Sequence, residues 1–160
     1  MSQGVEWALH SCSVLAGLPP ANVLPASRLA EMHDVPPAYL AKHLQALSRA
    51  GILVSGHGPR GGYRLARPAR EITVLDVVEA IDGDEPAFRC TEIRRRGPTA
   101  QPASAYRLAC GIHRVMDTAD AAWRESLRAV TVAELVDGVM QEASPAALAA
   151  GAEWIQEAIA

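Results

Sequence analysis

Residues 27–66 constrain the fold of this chain more than any other stretch, because they combine two short helical patterns with a glycine-rich hairpin. The helical patterns span 27–33 and 38–50, and the turn between them contains two prolines that suit the start of a helix. Two β-like runs, 52–55 and 63–66, flank the segment GHGPRGG, which holds four glycines and is typical of a hairpin tip. This order of elements predicts a winged helix-turn-helix.

The remaining patterns predict a mainly α-helical fold with a small β-hairpin wing. Apolar residues recur at helical spacing over 5–18, 73–81, 112–130, 131–140 and 145–160. The longest of these helices carries an apolar stripe that a second copy of the same helix would cover, which predicts a homodimer. We therefore expect a winged helix-turn-helix domain over 1–82, a loop over 83–111 and a helical dimerisation region over 112–160.

The charge is distributed in a way that favours a DNA partner. The whole chain has a formal net charge of −3, yet residues 27–70 contain seven basic and two acidic side chains and therefore carry +5. A local basic surface of this kind is the electrostatic footprint that binding to the DNA backbone requires. The alternative is a set of solvated arginines that cluster by chance.

The predicted contacts to double-stranded DNA fall on the second helix of the motif, on the wing and beside them. The helix over 38–50 should enter the major groove, and its exposed side chains are Tyr39, Lys42, His43, Gln45 and Arg49. Arg60 at the hairpin tip is placed for the minor groove. Phosphate contacts are expected from Arg28, Arg64 and Arg67. A homodimer would read a pseudo-palindromic operator.

Length and composition exclude several classes of protein. A chain of 160 residues with 49% hydrophobic residues can form one domain, or one small domain with an appendage. It contains no run that approaches the roughly 18 apolar residues of a membrane span. Three cysteines without a basic leader at the start indicate a reducing cytoplasm. The metalloprotease, hydrolase-elbow and P-loop patterns are missing, so we do not expect an enzyme.

The cysteines differ in their setting. Cys12 falls on the apolar stripe of the first helix, so we expect it to be a buried small hydrophobe. Cys90 and Cys110 lie 20 residues apart in the loop and can supply half of a four-ligand metal site. As alternatives, they are structural thiols or a redox pair that closes a disulfide.

Three other side chains are candidates for the two missing ligands. Glu6 and His10 are separated by four residues, which places them on one face of the first helix, one turn apart. His113 follows Cys110 at the spacing C-x-x-H. Without further information, Glu6 and His10 are equally well explained as the solvated face of an amphipathic helix.

The sequence resembles the IscR/NsrR/RsrR family of bacterial transcription regulators. LAKHLQALSRAGIL (40–53) and GPRGGYRLARP (58–68) are similar to the recognition helix and wing of that family, and EITVLDVVEAIDG (71–83) to its fourth helix. The loop cysteines fall where the family holds its cluster. VEWALH (5–10) and FRCTEIRRRGP (88–98) are similar to the redox-sensing RsrR type in particular.

The resemblance implies a homodimeric winged-helix repressor or activator with an iron–sulfur cluster. The familiar family pattern has three closely spaced cysteines, whereas the loop here has two. The RsrR type implies a 2Fe–2S cluster between two subunits, with 83–111 as the cluster-binding loop. The implied ligands are Cys90, Cys110, His10 and Glu6, with the first helix contributed by the partner subunit. The local spacing of His113 makes it the alternative ligand.

Trp7 lies between Glu6 and His10 in sequence, so it is a candidate relay for a change in redox state. Two other functions stay open. One is a winged-helix regulator without iron that senses through thiols or a small ligand. The other is a zinc-binding protein or a hydrolytic metalloenzyme that uses Cys90, Cys110 and the histidines His10 and His113, although the missing catalytic motifs argue against the enzyme.

Overall fold

Residues 1–56 and 61–159 are described by the computed structural model, and they fall into two units. The first unit contains Met1–Gly83 together with the residues from Leu127 onward, and the second contains Asp84–Ser126. Among the described residues, no helix has both the length and the apolar character that a membrane span requires.

The helix-turn-helix predicted from the sequence is present in the first unit. Helix α1 (Gln3–Ala16) is followed by α2 (Ala26–Met32) and α3 (Pro37–Arg49). Pro37 begins α3, where its missing N–H leaves no helical hydrogen bond unmade. The inner face of α3 is fully buried and consists of Leu40, Leu44 and Leu47. Because this stripe points into the core, the opposite face of α3 is turned toward solvent.

A two-stranded antiparallel hairpin follows α3. Strand β1 (Leu53–Ser55) pairs with β2 (Tyr63–Leu65). Tyr63 also exchanges two backbone hydrogen bonds, of 3.0 and 2.9 Å, with Leu24 in the segment before α2. The predicted mainly helical fold with a small hairpin wing is confirmed. The predicted tip over 57–60, which includes Arg60, lies outside the described residues.

Gly62 permits the close approach of the wing to the segment before α2. A Cβ at position 62 would lie 2.6 Å from the carbonyl carbon of Leu24 and 2.9 Å from the nitrogen of Pro25. Gly62→Ala is therefore expected to lower the free energy of unfolding by about 1–3 kcal/mol, the usual cost of overpacking. Gly56→Ala is the matched control, because its Cβ would have a Val23 methyl as nearest neighbour, at 3.6 Å. Equal midpoints of urea unfolding for the two variants would contradict this expectation.

Helices α4 (Val74–Asp82) and α6 (Val132–Glu142) each begin with a capping box. The one predicted at α6 is confirmed, because the Thr131 hydroxyl accepts a hydrogen bond from the backbone N–H of Glu134 at 3.2 Å. Thr73 caps α4 in the same way, with a hydrogen bond of 3.0 Å. Each box satisfies N–H groups at the start of a helix, which fixes the residue at which the helix begins.

The core of the first unit is aliphatic. Cys12 is fully buried on α1, which confirms that this thiol is a core residue. The final helix, α7 (Pro145–Ile159), packs against the core through Trp154, Ala158 and Ile159.

The second unit consists of an irregular segment and most of α5 (Gly111–Arg128). The irregular segment contains short 3-10 turns at Ile93–Arg95 and Ala103–Ala105. Helix α5 exposes Ile112, Val115, Met116 and Trp123, each between 38% and 68% exposed. An exposed apolar stripe agrees with a dimerisation helix, which stays a prediction. The residues from Leu127 onward belong to the first unit, and the assignment of 112–160 to dimerisation stays a prediction.

Candidate DNA-binding surface and metal centre

The solvent-facing side of α3 offers polar side chains for contact with base edges. Tyr39 is 60% exposed, and the ammonium of Lys42 lies 6.0 Å from the centre of its ring. Gln45 and Arg49 are also exposed. These four predicted DNA-contacting residues therefore share the free face of α3, opposite its buried leucines.

His43 is the exception on α3, because its ring lies against α1. The ring makes an edge contact with Trp7, at 6.0 Å between ring centres. A Cβ built at Gly4 would lie 2.3 Å from the His43 ring, so the two helices are in close contact here. His43 thus joins the recognition helix to α1, and its contact with DNA stays a prediction.

The arginines predicted to bind phosphate differ in their surroundings. The Arg28 guanidinium pairs with Glu31 and lies 5.0 Å from the centre of the Trp154 ring. Arg67 donates to the backbone carbonyl of Glu71 at 2.6 Å and pairs with a carboxylate of α4. Arg64 on β2 is exposed and donates a long hydrogen bond of 3.3 Å to the neighbouring carbonyl of Leu65. Phosphate would have to compete with protein partners at Arg28 and Arg67.

The second unit brings the two loop cysteines together. The sulfur atoms of Cys90 and Cys110 and one carboxylate oxygen of Glu92 all lie within 4.8 Å of one another. Both cysteines are free thiols and half-buried. Residues that are 20 positions apart in sequence thus form one cluster of soft and acidic donors.

Cys110 immediately precedes α5, and its sulfur receives hydrogen bonds from the start of that helix. The backbone N–H groups of His113 and Ile112 donate to it, which lowers the pKa of the Cys110 thiol, and the nearby Arg94 acts in the same direction. N–H groups at a helix N-terminus favour an anion, so the thiolate is the stabilised form.

Glu92 is a member of this cluster that the sequence analysis missed. Its backbone is in the left-handed region, with φ of 49°. Both of its carboxylate oxygens accept hydrogen bonds from Arg94 at 2.8 Å, and this pairing lowers the pKa of the carboxyl group. Arg94 is itself held over the ring of Tyr106, at 4.2 Å. The spacing Cys90-x-Glu92 brings a carboxylate near a thiol in sequence, but only the fold of the loop places the two side chains together.

The other predicted ligands, Glu6, His10 and His113, are described within their own units. Glu6 and His10 are exposed on α1 in the first unit, where both line a groove with α6. The His10 ring is 5.5 Å from that of His33, whose pKa is lowered by burial and by His10. In the second unit, His113 lines the cleft that contains Cys90, and its Nδ1 is 3.2 Å from an Asp117 oxygen.

Cys12 and Cys110 should differ sharply in reactivity. Burial raises the pKa of Cys12 to about 12, whereas the pKa of Cys110 lies below its ordinary value. A lowered pKa means that the thiolate, the reactive form, persists to lower pH. Iodoacetamide at pH 7 is therefore expected to alkylate Cys110 in folded, metal-free protein while Cys12 reacts only after denaturation. Peptide mass spectrometry measures the alkylation rates of Cys110 and Cys12. Equal labelling of the two thiols in folded protein would contradict the expected difference in reactivity.

Comparison with known proteins identifies the group to which this fold belongs. Residues 1–138 match the family model Rrf2, described as an iron-dependent transcriptional regulator. The chain belongs to the Rrf2 family. Rrf2 proteins are transcription regulators rather than enzymes, and they bind DNA and generally act as dimers. The helix-turn-helix and wing described above are therefore the DNA-binding part of an Rrf2 regulator.

Individual relatives match most of the chain. A Mycobacterium tuberculosis protein that carries the name of an HTH-type transcriptional regulator is 29% identical over 145 residues, 89% of this chain and 84% of its own. Protein aau3 of Rhizobium meliloti is 35% identical over 108 residues, 68% of this chain and 66% of its own.

Two solved structures have the same fold. The structure of T. potens IscR aligns with a TM-score of 0.65 at 20% identity, over 90% of this chain and 91% of that one. CymR, the global cysteine regulator of B. subtilis, aligns with a TM-score of 0.63 at 21% identity, over 86% of this chain and 95% of that one. At these identities the likeness establishes the winged-helix fold of Rrf2 regulators.

Proposed function

We propose that this Rrf2 protein is a redox-responsive DNA-binding regulator of the RsrR type, with a 2Fe–2S cluster held between two subunits. The supporting observation is the convergence of Cys90 and Cys110, whose sulfurs lie within 4.8 Å of each other although 20 residues separate them in sequence. Thiolate ligands of one tetrahedral metal ion are about 3.8 Å apart at ordinary metal–sulfur distances. The two thiols therefore suit a single iron.

The surroundings of the thiols also suit a cluster. The N–H groups that lower the pKa of Cys110 stabilise the thiolate that a metal requires. Hydrogen bonds to ligand sulfurs are also one of the means by which proteins adjust a cluster potential. When bound, the cluster would supply reversible one-electron chemistry, with a potential raised by histidine in place of thiolate.

Glu6 and His10 are the proposed ligands of the second iron, from α1 of the partner subunit. Both side chains are exposed on one face of α1, so they are available to a group outside their own unit. His113 is the alternative ligand, because it lines the same cleft as Cys90. The exposed apolar stripe of α5 supports a dimer in which such sharing is possible.

A route from the proposed ligands to the DNA-binding helix runs through α1. Trp7 is adjacent to Glu6 in sequence, and its ring contacts His43 of α3. Because Gly4 leaves no space between α1 and the His43 ring, a movement of α1 acts directly on the recognition helix.

If Trp7 is the relay, Trp7→Ala should uncouple DNA binding from the redox state of the cluster. The variant is expected to bind DNA with the same affinity in the oxidised and reduced states, while its iron content is unchanged. Fluorescence anisotropy with a labelled DNA fragment measures both affinities. A redox response as large as that of the unmodified protein would show that the relay assignment is wrong.

The absorption spectrum and metal content of protein purified in the absence of air test whether the cofactor is present. The proposal predicts a coloured protein with a 2Fe–2S absorption spectrum and equal amounts of iron and acid-labile sulfide. A colourless protein that contains zinc would favour the zinc-binding alternative. A protein without metal would favour a regulator that senses through thiols or a small ligand.

A further inference from the structure

The cluster of Cys90, Glu92 and Cys110 has the composition of a metal site that is complete without a partner subunit. We propose that these three side chains bind one divalent ion of the zinc class within a single chain, with solvent in the fourth position. This site lies beyond the proposed function, because it uses the same thiols but neither Glu6 nor His10.

The distances favour a mononuclear site. The Sγ of Cys90 lies 3.7 Å from Oε1 of Glu92, and the three ligand atoms are mutually within 4.8 Å. At ordinary zinc–sulfur and zinc–oxygen distances, two ligands of a tetrahedral ion are about 3.5–3.8 Å apart. Small rotations of the side chains would therefore bring all three donors onto one ion.

The loop holds Glu92 in this position before any ion binds. Its carboxylate lies beside the thiol of Cys90 and accepts two hydrogen bonds of 2.8 Å from Arg94, which hold it there. Its left-handed φ of 49° is unusual for a residue other than glycine, and such conformations concentrate at functional sites. The loop thus places the carboxylate beside the thiols at a conformational cost.

Arg94 completes the charge balance and orients the carboxylate. Two thiolates and one carboxylate carry three negative charges, which Arg94 and a divalent ion would neutralise together. A carboxylate has about four lone-pair sites, so it can bind an ion while it still accepts the hydrogen bonds of Arg94. Hydrogen bonds from a neighbouring side chain to a metal ligand usually fix the orientation of that ligand. Tyr106 in turn donates to the backbone carbonyl of Arg94 at 2.9 Å and fixes its place.

The two metal-bound forms would exclude each other on one chain. Cys90 and Cys110 can be used once, either for a mononuclear ion with Glu92 or for a cluster completed by other residues. Binding of a zinc-class ion would therefore block cluster acquisition, and a loop of this kind would respond to metal supply as well as to redox state.

Cobalt(II) is a suitable probe, because thiolate-bound Co²⁺ has strong charge-transfer absorption. Full-length protein, reduced and stripped of metal with a chelator, should bind one Co²⁺ per chain with this absorption, and Zn²⁺ should displace it. Glu92→Gln keeps the shape of the side chain and should weaken binding by at least tenfold. Cys90→Ser should weaken the charge-transfer band and lower the affinity, because one of the two cobalt–thiolate bonds is lost. The double variant Glu6→Gln, His10→Ala is the matched control and should bind Co²⁺ as tightly as the unmodified protein.

Three results would overturn the proposal. They are the absence of thiolate-to-cobalt absorption in the unmodified protein, equal Co²⁺ affinity in Glu92→Gln, and a loss of affinity in the Glu6/His10 control. Zinc should also raise the Tm of the unmodified protein more than that of Glu92→Gln, because an ion bound only by folded protein stabilises it. Glu92→Gln purified without air should keep its iron–sulfur absorption. Failure of the mononuclear site and failure of the cluster are thus told apart.

Discussion

Cys110→Ser, purified without air, is expected to lack the visible absorption of the proposed cluster and nearly all of the iron that the unmodified protein should bind. The hydroxyl is a far poorer iron ligand than the thiolate. The sulfur of Cys110 accepts hydrogen bonds from backbone N–H groups at the start of α5. Because serine also caps helices well, α5 should begin at the same residue in the variant. Cys90→Ser is expected to have the same effect. Iron and sulfide analysis with absorption spectroscopy measures the loss.

Cys12→Ala is the matched control for these variants. Cys12 is fully buried in the first unit, and its raised pKa disfavours the thiolate. The variant should therefore keep its full complement of iron. Retention of iron in both Cys90→Ser and Cys110→Ser, or its loss in Cys12→Ala, would contradict the assignment of ligands.

A heterodimer with different ligands removed from each chain is expected to hold half of the normal amount of cluster. One chain would carry Glu6→Ala and His10→Ala, and the other Cys90→Ser and Cys110→Ser, with different tags for purification. If each cluster takes thiolates from one subunit and helix α1 from the other, one of the two sites in this heterodimer is intact. Iron analysis of the doubly tagged species measures the occupancy.

The same heterodimer distinguishes the possible ligand sets. If all four ligands came from one chain, both sites would be damaged and the heterodimer would contain no cluster. If His113 replaced His10 and Glu6, the first chain would keep a complete site, and its homodimer would also be coloured. The proposed arrangement predicts colourless homodimers of both chains and a half-loaded heterodimer.

Most of the DNA-binding unit could be predicted from sequence because its elements are specified locally. The leucines of α3 recur at helical spacing, Pro37 suits the first turn of the helix, and the glycines mark the hairpin. The capping box of Thr131 and Glu134 is also a local pattern. Such features depend on neighbours a few residues away, so the predicted boundaries differ from the observed ones by only one or two residues.

Features that depend on tertiary contacts were not predictable in the same way. The sequence places His43 beside Lys42 on the recognition helix, but only the packing of α1 explains why its ring turns to Trp7. The Arg28 guanidinium contacts the ring of Trp154, which lies near the C-terminal end of the sequence. Glu92 lies beside the thiols because the irregular loop turns back at this residue, whose backbone is left-handed. Hydrophobic periodicity does not predict a turn of this kind.

Operator affinity of one anaerobic preparation in two oxidation states is the most direct test of redox-responsive regulation. A DNA fragment selected by the protein from a random pool is titrated with oxidised protein, and again after reduction by one electron per cluster. We predict a reversible change in affinity of about 5- to 150-fold, the usual range for coupling between two sites. Lys42→Ala, on the exposed face of α3, should weaken binding in both states by a similar factor. Equal affinity in the two states, with the cluster intact in both, would contradict the proposed function.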